Sequence, residues 1–155
     1  MIQRIQSLYL TLVVILSLLL FTGSLLSFTD ETGRLVKLTI SGNLTDQSGQ
    51  VISHVAEMWP LVAILALIAM VSAITILLFR NRKVQLLLAK SVIILAAGLL
   101  IGLSYYAFSL INSARLTLMP VFKMALPVLI LLFSVFAYRG ILKDDRLVRS
   151  YDRLR

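Results

Sequence analysis

The chain has 155 residues, of which 59% are hydrophobic and 14% charged, against about 45–50% apolar and about 25% charged in a soluble domain. It holds no cysteine and a single histidine, which excludes disulfides, iron–sulfur clusters, thiol catalysis and a histidine-built metal centre. A net charge of +8 would suggest nucleic acid in a soluble protein, but here the basic residues flank long apolar runs. Membrane topology and anionic headgroups account for them, and no nucleic-acid partner is expected.

Residues 1–6 carry Arg4 and lead into an apolar run from 8 to 28. The run is longer than the h-region of a signal peptide, about 7–15 residues, and no A-x-A site follows it. Cleavage can be argued only at Thr22-Gly23-Ser24. The run is read as an uncleaved first span, 7–28, long enough at about 1.5 Å per residue to cross a hydrocarbon core of about 30 Å.

An outer loop, 29–58, comes next. Leu35-Val36-Lys37-Leu38-Thr39-Ile40 has a strand-like pattern, and Ser41-Gly42-Asn43 and Gln47-Ser48-Gly49 are turn-rich. A small β-hairpin pairing 35–40 with 50–53 is expected. It must lean on the helices or a partner, because an isolated hairpin is marginal in water. Asn43-Leu44-Thr45 fits a glycosylation acceptor, a pattern common by chance. His54 and Glu57, spaced i, i+3, suit a solvated loop end better than a metal or proton-linked pair, since no second ligand cluster accompanies them.

Span two is 59–79. Trp59 is an interfacial anchor, Pro60 suits a first helical turn, and 61–79 contains no charge. The basic knot Arg80-Asn81-Arg82-Lys83 is so short that spans two and three must be antiparallel neighbours. Span three, 84–111, exceeds the length needed and should tilt, with Lys90 snorkelling to the near interface. Gly98 and Gly102 form G-x-x-x-G, and Ala69 and Ala73 repeat the spacing on span two; these two small-residue faces are expected to pack together. Tyr105 and Tyr106 read as an aromatic belt rather than a cofactor contact.

Span four, 118–138, is the weakest, because its uncharged part is only 124–138. To cross it must start near Leu118 and take Lys123 into the outer boundary. Pro127 removes the hydrogen bond to the Lys123 carbonyl and predicts a kink. Residues 139–155 form a polar tail in which Leu147, Tyr151 and Leu154 share a helical face. That face suits a helix lying on the membrane surface, or alternatively a docking peptide.

Charge sets the orientation. With the N-terminus inside, eleven of the 15 basic residues face the cytoplasm, and only Arg34, Lys37, Arg115 and Lys123 lie outside. The positive-inside rule gives N-in, C-in and an even number of spans.

Little here carries chemistry. An ionisable residue at membrane depth is a functional candidate by default, which singles out Lys123. With Pro127, Tyr105 and Tyr106 it would line a cleft; a snorkelling lysine is the plainer reading. Arg80, Arg82 and Lys83 in the knot and Arg146, Arg149, Arg153 and Arg155 in the tail are candidates for contact with a partner or with lipid headgroups. There is no G-x-x-x-x-G-K, no H-E-x-x-H, and no Asp or Glu inside the expected spans, which argues against a proton-coupled pump. No cofactor is expected.

Three stretches, Met1-Ile2-Gln3-Arg4-Ile5-Gln6-Ser7-Leu8-Tyr9-Leu10, Leu78-Phe79-Arg80-Asn81-Arg82-Lys83-Val84-Gln85 and Leu147-Val148-Arg149-Ser150-Tyr151-Asp152-Arg153-Leu154-Arg155, resemble a family of small four-span bacterial inner-membrane proteins described only as a domain of unknown function. The resemblance covers the whole chain and implies a Gram-negative inner membrane. It implies no activity, so no catalytic residue is carried over from it.

The sequence therefore leads to an all-α membrane protein, a four-transmembrane-helix bundle with both termini cytoplasmic and a small extracytoplasmic loop. The leading functional expectation is a non-enzymatic accessory or scaffold subunit of a larger inner-membrane complex. The alternative is a small carrier or channel for a lipid-like or amphipathic molecule, using the cleft at Lys123. A membrane enzyme ranks third, since its reactive groups would have to come from elsewhere.

Overall fold

The computed structural model describes residues 3–30, 33–54, 58–78, 81–114, 116–120 and 122–152. It corrects the all-α expectation. Four helices, α1 (Gln3–Phe21), α2 (Trp59–Leu77), α3 (Arg82–Ala114) and α4 (Ala125–Asp152), are joined by five strands: β1 (Ser24–Thr29), β2 (Leu35–Thr39), β3 (Asn43–Thr45), β4 (Val51–His54) and β5 (Thr117–Met119). The strands form one antiparallel sheet in the order β4-β3-β2-β1-β5.

The expected four-span bundle fails at both ends of the chain, for one physical reason. The expected first span ran to residue 28, but α1 stops at Phe21. Gly23 adopts φ +76°, a left-handed conformation that ends a helix and suits glycine. The apolar residues Leu25, Leu26 and Phe28 then form β1, in which four consecutive positions are buried. A strand covered on both faces is a continuous apolar run, and such a run cannot be told from the end of a membrane helix by periodicity. Leu118, expected to open span four, instead pairs with Phe28 in β5. A short 3₁₀ turn, Phe122–Met124, leads into α4.

Among the described residues three helices are long and apolar enough to cross a membrane, a signature of membrane proteins: Trp59–Leu77, Arg82–Asn112 and Phe122–Leu147. The apolar part of α1, Ile5–Phe21, rises only about 26 Å, less than the hydrocarbon core of about 30 Å. Only 28%, 22% and 33% of the three long apolar windows is buried within the chain, so most of their apolar surface needs cover from outside, as lipid provides.

The buried positions recur every three or four residues: Leu61, Leu65, Ile68, Ser72 and Thr75 on α2; Gln85, Ala89, Val92, Ala96, Leu99 and Leu103 on α3; Ile130, Ser134, Ala137, Ile141 and Asp144 on α4. This 3.5-residue period is that of helices wound at a shallow left-handed angle. Many of the inward residues are small or hydroxylic, while Ile94, Ile101 and Phe108 point outward, the pattern of helices that associate within lipid. Each helix packs on two neighbours, in the cyclic order α1, α2, α3, α4.

The sheet lies where α1 ends and α4 begins, and its buried side chains Phe28, Leu38 and Leu44 share one continuous core with Leu61, Leu103 and Leu126 of the helices. The expected pairing of 35–40 with 50–53 is also corrected. Residues 35–39 pair with β1 and β3, and 51–54 pair with β3 alone. The expected turns at 41–43 and 47–49 do connect strands. At the second, the Gly49 N–H donates to the Asp46 carbonyl at 3.0 Å with φ +79°, as a turn feeding a strand in left-handed geometry requires.

Two expectations about α4 change. Pro127 falls in the first turn, where helical N–H groups have no partner anyway, so it removes no hydrogen bond. The helix also continues through residue 139 without a break, so its C-terminal part extends the bundle helix and is not a separate surface helix.

Candidate functional site

At the sheet end of the bundle lies a cavity of about 410 Å³. Leu20 of α1, Leu25 and Leu26 of β1, Leu103 and Ala107 of α3 and Val128 of α4 are among the apolar residues of its wall. Its polar lining is Lys123 and Ser104. The Ser104 hydroxyl donates to the Leu100 carbonyl at 2.8 Å, a bond within its own helix.

Lys123 is half-buried. The 3₁₀ turn aims its ammonium across to the end of α1, where Nζ donates to the Thr22 carbonyl. Gly23 makes this approach feasible, since a Cβ there would lie 3.0 Å from Lys123 Nζ. The lysine thus ties the α1–β1 turn to the start of α4, two segments 101 residues apart.

Of the four residues expected to share a cleft, the structure brings Lys123 and Pro127 together in the cavity wall. Tyr105 and Tyr106 are not part of that wall. Tyr105 is 70% exposed, Tyr106 packs partly against the core, and their rings meet edge to face at 5.8 Å. Tyr105, Phe108, Trp59 and Phe122 are all exposed, as aromatic groups near an interface are.

The opposite end holds a polar cluster that the sequence did not reveal. Gln6 of α1 is 4% exposed and Asp144 of α4 is 9% exposed; the Gln6 amide donates to the Asp144 carboxylate. Arg82 donates to the Asp144 backbone carbonyl at 3.1 Å, and the buried Gln85 amide donates to the Thr75 carbonyl at 3.3 Å. All four helices therefore meet in hydrogen-bonded groups. Gly140 allows the close fit of α1 on α4, because a Cβ there would lie 2.8 Å from Gln6 Cγ. Tyr9 stacking on Phe133 at 6.1 Å continues that seam. Since Gln6 meets Asp144 at one end and Thr22 meets Lys123 at the other, α1 and α4 are antiparallel. Asp144 falls within the polar tail expected over 139–155. The signal that would have found it is its phase, seven residues beyond the buried Ala137 and three beyond Ile141.

The basic candidates separate. Arg82 turns into the cluster, whereas Lys83 is exposed. Arg146 is exposed and shares a stripe with Arg139, Leu142, Lys143 and Leu147. Arg80, Arg153, Arg155 and Glu57, and the side chains of Arg149 and His54, lie outside the described residues. Among the described residues no three His, Asp or Glu side chains gather as metal ligands would.

The glycine pair is asymmetric. A Cβ on Gly102 would come 2.5 Å from Leu61 Cδ2 of α2, whereas a Cβ on Gly98 meets nothing within 4 Å. The close approach is therefore made within the chain, at Gly102 against Leu61. Ala69 and Ala73 are half-buried farther along α2, nearer its junction with α3. Gly102→Ala should lower stability by about 1 kcal/mol net, the overpacking against Leu61 outweighing the gain from removing a helical glycine. Gly98→Ala should be neutral or stabilising by up to about 1 kcal/mol. Thermal unfolding of the two variants in one detergent checks this, and equal losses would show that Gly98 also meets a helix.

A helical bundle clad in apolar side chains, with helices long and apolar enough to cross a membrane, is capped by a small sheet and holds a cavity at one end, the marks of a membrane protein. Residues 2–154 match the family described as Domain of unknown function (DUF4293), and the chain belongs to that family. No curated protein and no solved structure matches it.

Proposed function

We propose that this is a non-enzymatic protein of the bacterial inner membrane that binds a lipid-like, amphipathic molecule in the cavity beside Lys123. The observation that carries the reading is the cavity itself. Its volume of about 410 Å³ falls in the range of about 300–1,000 Å³ typical of small-molecule sites, and its described lining is apolar apart from Lys123 and Ser104. In this reading the sheet end faces outward and the polar end faces the cytoplasm, as the distribution of eleven of 15 basic residues favours. The exposed stripe of Arg139, Lys143 and Arg146, interleaved with Leu142 and Leu147, then lies at the level of anionic headgroups on the inner leaflet.

The test is native mass spectrometry of the protein released from its own membranes in a mild detergent, beside an Ala107→Trp variant. Ala107 lines the cavity and is half-buried, so an indole there fills it. Wild type should retain an amphiphile of defined mass, and the variant should lose at least about tenfold of it while keeping its helix content. Equal retention by both proteins would overturn the reading.

One observation favours the accessory-subunit reading as a second. Strand β4 is an edge of the sheet, its register slips at Ile52, and Val51 and Ile52 are each 58% exposed. A slip of this kind re-aims side chains and discourages strand addition, which leaves two adjacent apolar side chains on an outward loop for a partner's apolar surface. Affinity purification from native membranes should recover a stoichiometric partner that Val51→Lys with Ile52→Lys loses. Recovery of the chain alone would dismiss this reading.

A further inference from the structure

We infer that the molecule held in the cavity carries a single acid group on an aliphatic chain, and that this acid replaces the Thr22 carbonyl as the acceptor for Lys123. The inference rests on the binding role proposed above and adds the chemical class of the ligand.

Among the described residues that line the cavity, Lys123 is the group able to recognise a charged head. An ammonium has three donors, and the bond that Lys123 makes to the Thr22 carbonyl is to a neutral oxygen, which does not neutralise its positive charge. The bond is exposed, so the ammonium is open to an anion entering the cavity, and a hydrogen bond between charged partners is stronger than one to a neutral carbonyl. Gly23 keeps that route open, because any side chain there would begin 3.0 Å from Nζ. The other polar lining group, Ser104, already donates within its helix. A sugar or other neutral polar head needs several convergent donors and acceptors, and the described residues of this wall do not present them.

The remaining wall fits a hydrocarbon tail. Leu20, Leu26, Leu103 and Ala107 lie along it, and the lining residues Phe108 and Val128 are 66% and 46% exposed on α3 and α4. The cavity therefore reaches the lipid-facing side between these helices, where a chain could enter sideways from the bilayer. A lysine is a point charge without the fixed fork of arginine, so a carboxylate and a phosphate monoester share the required chemistry.

Three probes with the same chain separate the outcomes: oleate, 1-oleoyl lysophosphatidic acid and oleyl alcohol, titrated by native mass spectrometry into the whole protein in a neutral maltoside detergent. Wild type should bind at least one of the acids about tenfold or more tightly than the alcohol, the effect of a hydrogen bond to a charged group. The tighter of the two acids tells whether the head is carboxylate or phosphate. Lys123→Gln should bring the acid-to-alcohol ratio to within about twofold of unity without weakening the alcohol, whose binding reports an intact cavity. Lys123→Arg should keep a preference for acid. If the alcohol binds wild type as tightly as both acids, or if Lys123→Gln keeps the preference, the acid assignment fails while the cavity reading stands. If none of the three binds, the cavity reading itself fails.

Discussion

Gln6→Leu is expected to lower stability by about 3 kcal/mol, and a second change, Asp144→Leu, to restore most of the loss. Gln6 and Asp144 sit at the end of the most extensive helix seam, α1 on α4, and both are buried. Removing the amide strands a buried carboxylate that has lost its donor. Leaving a charged group so costs more than the roughly 1–3 kcal/mol of a neutral one. Asp144→Leu alone strands only a neutral amide and should cost about 1–3 kcal/mol. Replacing both partners by apolar groups is often nearly neutral, so the cycle should show a coupling energy of about 2 kcal/mol or more. Asp144→Asn, which keeps an oxygen acceptor for Gln6, should fall between wild type and Asp144→Leu. Reversible unfolding in mixed micelles measures all four variants. Additive losses from the two single changes would mean that the pair does not hold the seam.

Why this pair escaped the sequence, while α2 and α3 were nearly in place, follows from how each is encoded. A membrane helix is a local property. The run 59–79 was expected from apolar length, and the helix is Trp59–Leu77; 84–111 was expected, and the helix is Arg82–Ala114. Which face of such a helix turns inward is not legible in hydropathy, because both faces are apolar. It is written in size and polarity, in the 3.5-residue recurrence of Ser72 and Thr75, of Gln85, Ala89 and Ala96, and of Ser134, Ala137 and Asp144. Read for small and polar residues in phase, the chain would have placed Asp144 inside.

The sheet was hidden differently. Its turn residues were visible, but its pairings are not local. Strand β1 continues an apolar run from α1, and β5 is three residues between α3 and α4. Neither reads as a strand alone: β1 is held between β2 and β5, and β5 is held by β1. Lys123 stood out as a charge beside an apolar run, yet its acceptor is a backbone carbonyl 101 residues away, and a carbonyl has no sequence signature. The cavity is likewise the gap left between a strand and three helices, which no one segment announces.

Phe28→Ala should have the other large effect, a loss of about 3–5 kcal/mol, as for other fully buried aromatic residues cut to alanine. Phe28 is fully buried at 0% exposure, and its backbone neighbours are Val36 on β2 and Leu118 on β5. It is thus the point where the outer hairpins, the α3–α4 connection and the helix core meet. The loss should be local in its consequences. The long helices keep their lipid-covered surfaces, so helix content should change little, while protease added from the sheet side should cut within 30–54 much faster than in wild type. Leu132→Ala, at a position 45% exposed on α4, removes a side chain that largely faces outward and should leave that cleavage unchanged. Because Leu25 and Leu26 of the same strand line the cavity, loosening β1 should also release the amphiphile proposed to bind there, coupling the integrity of the sheet to occupancy of the site. Slow cleavage in Phe28→Ala would show that the sheet is held to the helices by other contacts, and unchanged retention of the amphiphile would show that β1 is dispensable to the cavity.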